Sequence, residues 1–342
     1  MALRSPGRDA ASRGRIDAGA NVRVVSGQPA DLRVSVILTV RDEAASIESL
    51  IRSLFGAERQ PDEVVVSDAG SSDGTRSRLD ALAAEFDRLV VLDVRGNRSR
   101  GRNAAISAAT HDVIACTDGG CVPEPDWLQE LVEPFAHGAE WVAGFYRPVG
   151  ETTKQVCIGL TMVYVLEEAM RPGFLPSARS MAFTRAAWET VGGFPEDLVV
   201  SEDTAFDEAL DAAGYEMVFR PEAVVGWHPP ATLAAGARVL WAWSRSDGLA
   251  GIRSHAYVAL GRIVSLSALL TATGLIVAPP LAPLGLIPLL LLLWRNTRYK
   301  YRWARGASRF FWIPAAWYVG LIARLGGFAS GWVARRRQRP RP

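Results

Sequence analysis

The sequence is poor in lysine: only Lys154 and Lys300 occur among 38 basic residues, so arginine carries nearly all of the positive charge. It holds three cysteines (Cys116, Cys121, Cys157), an odd number with no C-x-x-C pair and no histidine at metal spacing, which argues against a disulfide framework and a zinc site. Reduced, cytosolic chemistry is the default for such a chain. Residues 1–30 have no apolar core, so no secretory signal is expected, and residues 1–32 read as a disordered lead-in. No G-x-G-x-x-G follows an apolar strand and no G-x-x-x-x-G-K occurs, which sets aside dinucleotide oxidoreductases and P-loop NTPases. A net basic excess is also missing: 38 basic against 36 acidic residues leave +2, too little for nucleic acid as a bulk electrostatic partner.

That near balance is a cancellation. From Arg295 to the end there are 12 basic residues and no acid, so the first 294 residues hold 26 basic against 36 acidic, a net of −10. At 342 residues there is room for roughly two to three units. Residues 33–230 alternate short β-branched runs with amphipathic stretches. Val34–Val40, Val64–Val66, Leu89–Val94 and Val113–Cys116 read as strands. Between them, Ala44–Phe55, Thr75–Phe86 and Arg98–Ala109 read as helices, the first with Ile47, Leu50, Ile51 and Leu54 on one face. This alternation predicts an α/β domain with a parallel sheet covered on both faces. Such sheets bind ligands outside the carboxyl ends of their strands, here just after Val40, Val66 and Cys116.

The remainder has a different character. Residues 231–262 form an amphipathic bridge with Trp241, Trp243, Arg238, Arg245 and Arg253. Two readings fit it: a helix in a bilayer interface, or a helix packed on the preceding domain. Ile263–Trp294 is 32 residues without a charge, divided by Pro279-Pro280 and Pro283. One crossing needs about 20 residues, so two short crossings or a re-entrant hairpin are expected. The region 263–334 then holds about two to three hydrophobic segments, followed by a basic tail at 335–342. The cationic loop Arg295–Arg309 is expected on the cytoplasmic side of the inner membrane, with the catalytic domain facing the cytoplasm. Trp294, Tyr299, Tyr301, Trp303, Trp312, Trp317 and Tyr318 fit an aromatic belt at its boundaries, or packing between helices.

Three segments carry chemistry. Asp68-Ala-Gly70-Ser71-Ser72-Asp73-Gly-Thr75 follows the second strand. Gly70 and Ser71 allow a tight turn whose amides face a phosphate or ribose; alternatively Asp73 or Ser72 caps the next helix in an Asx-type turn. Thr117-Asp118-Gly-Gly120-Cys121 follows the fourth strand, and an acid there can hold Mg²⁺ or Mn²⁺ against a pyrophosphate, unless it only shapes a turn. Ser201-Glu202-Asp203 opens a helix, where paired carboxylates serve either as caps or as a general base with a neighbour.

In this order and spacing the three segments resemble the family 2 inverting glycosyltransferases of the GT-A fold, over about residues 33–230. Val36–Glu43, Arg100–Ile106 and Ala182–Phe194 add to the resemblance. It implies a Rossmann-like, mostly parallel sheet with helices on both faces, followed by C-terminal transmembrane helices. It further implies that Asp68 binds the nucleobase, with the backbone of Thr39 and Val40 forming the base pocket. Asp42 and Glu43 lie on the matching turn, Glu43 touching the nucleoside. Gly70, Ser71 and Asp73 complete the nucleotide side, and Arg102 and Asn103 lie near the diphosphate. Asp118 holds the metal, a divalent cation, or the ribose. Asp203 is the general base and Glu202 its neighbour. The implied partners are a UDP- or GDP-linked sugar, a lipid-linked acceptor and the membrane, as in exopolysaccharide assembly. The sequence departs from the family's D-x-D at Gly120, and Trp241-Ala-Trp-Ser-Arg245 stands where processive synthases carry Q-x-x-R-W. A transferase-like scaffold without activity is the alternative expectation. A nucleotidyltransferase, which would need a glycine-rich loop where Thr39–Glu43 stands, ranks lower.

Overall fold

A computed structural model describes residues 32–198 and 200–338. Apart from Leu32, the N-terminal lead-in lies outside the described residues, as do residues 339–342 of the basic tail. The first half builds as expected: β1 (Val34–Val40), α1 (Ile47–Phe55), β2 (Glu63–Asp68), α2 (Thr75–Glu85), β3 (Leu89–Asp93), α3 (Arg98–Ala108) and β4 (Val113–Cys116). Next come β5 (Cys121–Pro123), α4 (Trp127–Val132), β6 (Trp141–Pro148), α5 (Thr153–Leu160) and α6 (Leu166–Ala169). The domain closes with β7 (Met181–Thr184), α7 (Arg185–Thr190), α8 (Glu202–Ala212) and β8 (Met217–Trp227).

The described strands form one eight-stranded sheet in the order β3-β2-β1-β4-β7-β6-β8-β5. The first four are parallel. Beyond β4 the sheet is mixed: β7 runs antiparallel to both β4 and β6, and β8 is parallel to β6 but antiparallel to β5. A strand buried on both faces has no reason to alternate polar and apolar residues, and β1 is apolar almost throughout. Its Val34, Val36, Leu38 and Val40 pack with α1, α2 and α4, while Ile37 packs with Ala105 and Ile106 of α3 and Phe206 and Leu210 of α8. The register pairs Val40 with Asp68 and Ile37 with Cys116, so the ends of β1, β2 and β4 open at one edge.

The C-terminal part comprises α9 (Leu233–Ala250), α10 (Ser254–Val277), α11 (Ile287–Thr297) and α12 (Arg309–Gln338), with a 3₁₀ segment Pro279–Leu286 before α11. Helix α10 runs unbroken through residues 262 and 263. Helices α9 and α12 lie very close: a Cβ on Gly331 would fall 2.0 Å from the Arg245 carbonyl oxygen. Two stretches, Ser254–Val277 and Pro279–Thr297, are long and apolar enough to cross a membrane. Of the aromatics near their boundaries, Tyr299, Tyr301, Trp303 and Trp312 pack around Cys157, Leu160 and Val165. Trp303 Nε1 donates to Glu167 at 2.9 Å. Trp317 is buried, and only Trp294 and Tyr318 of the seven are well exposed.

Candidate active site

The turns after β1 and β2 are clamped together by side chains. The Asp42 N–H donates to Ser71 Oγ at 2.9 Å, and Asp42 Oδ1 accepts from the Ser72 N–H at 2.8 Å. Glu43 N–H donates to Thr75 Oγ1 at 2.8 Å and Ala44 N–H to Asp73 Oδ2 at 2.9 Å. Asp73 also accepts from Thr75, and these bonds hold its carboxyl below the ordinary range. Asp68 Oδ1 accepts from the N–H and Oγ of Ser71, at 3.0 and 2.6 Å, across the left-handed turn at Gly70. Asp42, Ser71 and Asp73 therefore spend polar atoms on joining the two loops. Asp42 itself sits at φ 55°, a strained value for a non-glycine residue. Thr39 and Val40 end β1 beside this clamp, Thr39 close to Gly101 of α3.

The second half of the site is built on Arg102, whose side chain is only 1 % exposed. Its guanidinium donates through Nη2 to Asp118 Oδ1 and through Nη1 to Glu202 Oε1, both at 2.7 Å. It also faces the Phe194 ring, 5.4 Å from the centroid. Burial pushes the Asp118 carboxyl up, but Arg102, with Arg179 and Arg98 farther out, outweighs it and leaves the group below its usual range. Asn103 accepts from Phe194 N–H at 2.9 Å and Trp188 Nε1 at 3.2 Å, and donates to the Phe194 carbonyl at 2.8 Å. It thus pins the Gly-Gly-Phe loop. Arg102 and Asn103, expected near a diphosphate, make their bonds to protein groups, whereas Arg98 and Arg179 line the opening.

Asp203 lies beside Glu202 at the start of α8, half-buried, and accepts from the Thr204 N–H at 2.9 Å. It faces a cavity of about 470 Å³ between the domain and the C-terminal helices. Ser201, at φ 67°, donates to Asp247 Oδ1 at 2.6 Å and so fixes the start of α8 to α9. The structure thus brings Asp118, Arg102, Glu202 and Asp203 into one cluster and leaves Asp42, Ser71 and Asp73 in the neighbouring loop clamp.

Four residues of this region were not among the site residues expected from the sequence. Arg179 lies over the Tyr146 and Trp227 rings, 5.3 and 5.0 Å from their centroids, with no ion pair among the described residues. Arg253 marks the left-handed break between α9 and α10 and donates to Thr204 Oγ1 at 3.4 Å. Lys300 is buried and reaches Glu168 at 2.8 Å and the Val163 carbonyl at 3.0 Å. Asp207, one helical turn after Asp203, is 0 % exposed, and neither of its oxygens has a hydrogen-bond partner among the described residues. Burial, then the charge of Asp203, pushes it well above the usual carboxylate range. Its i,i+4 spacing from Asp203 is the one signal the sequence offered.

Among the described residues no three His, Cys, Asp or Glu side chains gather as a complete cation site. Mg²⁺ commonly takes one or two carboxylates plus substrate phosphates, and Asp118 fits that pattern. The place of the missing second acid is bordered by Glu43: a Cβ on Gly120 would lie 3.5 Å from Glu43 Oε2.

Residues 35–173 match the model of glycosyl transferase family 2, and this part of the chain is a domain of that family. The match stops short of Glu202 and Asp203. The chain is 28 % identical over 204 residues to the glycosyltransferase AglE of Haloferax volcanii, covering 57 % of this chain and 66 % of that one. It is 23 % identical over 225 residues to the poly-beta-1,6-N-acetyl-D-glucosamine synthase of Staphylococcus aureus, covering 61 % and 53 %. The chain therefore spans from about half to just under two thirds of the length of these relatives. A mannosyltransferase from Pyrobaculum calidifontis, solved with GDP-mannose and Mn²⁺, superposes with a TM-score of 0.51 at 21 % identity, covering 86 % of this chain and 87 % of that one. That likeness shows a shared fold, and the fold is the expected GT-A arrangement.

Proposed function

We propose that this protein is a membrane-associated inverting glycosyltransferase. It moves a sugar from a UDP- or GDP-linked donor to a hydroxyl or phosphate of a lipid-linked acceptor, in polysaccharide or glycolipid assembly. The observation that carries the reading is the cavity onto which Asp203 opens. Its domain side presents Asp118, Arg179 and Asp203; its helix side presents Leu240, Leu260 and Trp317 together with Asp247, Arg253 and Arg324. An acceptor with a polar head and an apolar tail matches both walls.

In the reaction the acceptor oxygen attacks the anomeric carbon opposite the departing nucleoside diphosphate, and where the acceptor is a hydroxyl Asp203 takes its proton. Glu202 is held by Arg102, so it orients the helix start. Asp68, Thr39, Val40 and Glu43 form the nucleoside side, and Gly70 and Ser71 shape its turn. A divalent cation between Asp118 and the donor phosphates would neutralise charge on the leaving group. The names of the relatives and the Mn²⁺ of the Pyrobaculum enzyme agree with this reading. In the domain division we adopt, the transferase unit spans 33–230, the bridge 231–262 and the membrane region 263–334. The cationic loop 295–309 orients the transferase toward the cytoplasm at the inner membrane.

A panel of nucleotide sugars supplied to the purified protein with membrane lipid extract tests the reading. Radiolabel should enter the organic phase with one donor. Label that stays aqueous with every donor overturns the lipid-linked acceptor. One observation, Gly120 in place of the second motif acid, favours an inactive scaffold instead; absence of both donor hydrolysis and transfer in the same assay would decide for it.

A further inference from the structure

The uncharged run folds back on itself in strict register. A Cβ on Gly274 would meet Ala282 Cα at 2.6 Å, and one on Gly285 would meet the Thr271 nitrogen at 2.3 Å. The Leu289 N–H donates to Ser267 Oγ at 3.1 Å. The pairs 274/282, 271/285 and 267/289 share one centre, residue 278. Continued outward, the same register sets Arg262 opposite Trp294, one residue before Arg295, so the last charge going in and the first coming out lie at the same level.

We infer that this hairpin is re-entrant: it dips into the bilayer from the transferase side and does not reach the other face. This rests on the membrane reading above and specifies the surface that meets lipid. Residues 263–277 make about 22 Å of helix below Arg262, while the hydrocarbon core is about 30 Å thick. The tip thus stops about 8 Å short. Its composition agrees: from Gly274 to Leu293 no side chain carries a polar atom. Ile276, Val277, Leu281 and Leu284 are 83, 75, 58 and 57 % exposed. Among the described residues nothing covers the larger part of these side chains, and lipid is the medium that suits them. A water-facing loop on the far side would not be built this way.

The turn also meets the demand that hydrocarbon makes on a backbone. Pro279, Pro280, Pro283 and Pro288 bring no N–H to satisfy. Ala278 N–H donates to the Gly274 carbonyl at 2.9 Å, and Leu281 N–H to that of Ala278 at 2.8 Å. The Ser267 hydroxyl serves the Leu289 N–H at the start of α11, where the helix itself offers no acceptor.

Val277→Cys and, separately, Leu281→Cys report the depth of the tip; both side chains are exposed, so packing is untouched. The full-length protein is placed in sealed phosphatidylethanolamine/phosphatidylglycerol vesicles and treated with a membrane-impermeant maleimide on either side. The native cysteines are buried, and the unmodified protein sets the background. The expected result is no labelling from either side and full labelling after detergent. A nitroxide at the same position should sit about 20 Å below the phosphates on the transferase side. Labelling from the face opposite the transferase domain means a crossing and overturns the inference while keeping the membrane reading. Failure of the protein to sediment with vesicles overturns both.

Discussion

In the transferase domain, Arg102 is buried and reaches carboxylates 16 and 100 residues away in the chain. In the hairpin, twenty consecutive residues carry no polar side-chain atom; the Ala278 and Leu281 N–H groups find carbonyls four and three residues back, Leu289 N–H finds the Ser267 hydroxyl on the facing arm, and four positions are proline. Both regions must satisfy polar groups away from water. The domain does so with charges whose partners are remote in sequence and fixed by the fold. The hairpin does so locally, because a lipid environment offers no outside partner. Disturbing the first should cost function and global stability together; disturbing the second should leave the chemistry intact.

The largest effect is expected at the proposed base. Asp203→Asn should lower turnover about 10²–10⁴-fold, the usual worth of general-base help, with donor affinity unchanged in calorimetry. Wild-type turnover would show that the proton goes elsewhere. Arg102→Met leaves Glu202 as a buried acid and Asp118 as a half-buried one, both without their guanidinium partner, which should cost about 3–5 kcal/mol; a melting temperature equal to the parent's would mean that the two acids do not depend on it. Gly285→Val forces a branched side chain into the Thr271 backbone and should cost about 1–3 kcal/mol. That loss should fall in the hairpin, with nucleotide affinity preserved; reduced affinity would mean the two regions are mechanically joined.

The smallest effect is expected at Asp207. Its folded-state carboxyl titrates well above its unfolded value, so between those two values the folded chain keeps a proton that the unfolded chain releases. Stability then falls as pH rises through that window. Asp207→Asn should remove this slope and raise the melting temperature at neutral pH relative to pH 4. An unchanged difference between the two pH values would mean that Asp207 is already ionised.

The parallel half of the sheet was legible because strands covered on both faces leave short runs rich in β-branched residues, as in Val34–Val40, and α1 shows its face by period alone. The antiparallel half was not. Strand β8 contains Pro221 and Arg220, and its pairing with β6 shifts register between Ala143 and Phe145, so no period marks it. The acids of the site were legible as acids at strand and helix ends. That Asp42 and Asp73 clamp loops, or that Arg102 joins Asp118 to Glu202, depends on contacts across 16 to 100 residues that no local pattern reports. The aromatics at 299–312 misled for a related reason: a tyrosine or tryptophan looks the same against lipid as against Leu160.

Arg102 also sets a timetable. During synthesis at about 5–20 residues per second, Glu202 emerges roughly 5–20 s after Arg102, because 100 residues separate them. Asp118 follows after 16 residues, and for the rest of that interval it is the only one of the two acids present, so the guanidinium waits with one arm empty. A ribosome that stalls between the two codons therefore leaves both the site and the sheet unfinished, because β8 (Met217–Trp227), which joins β6 to β5, follows Glu202.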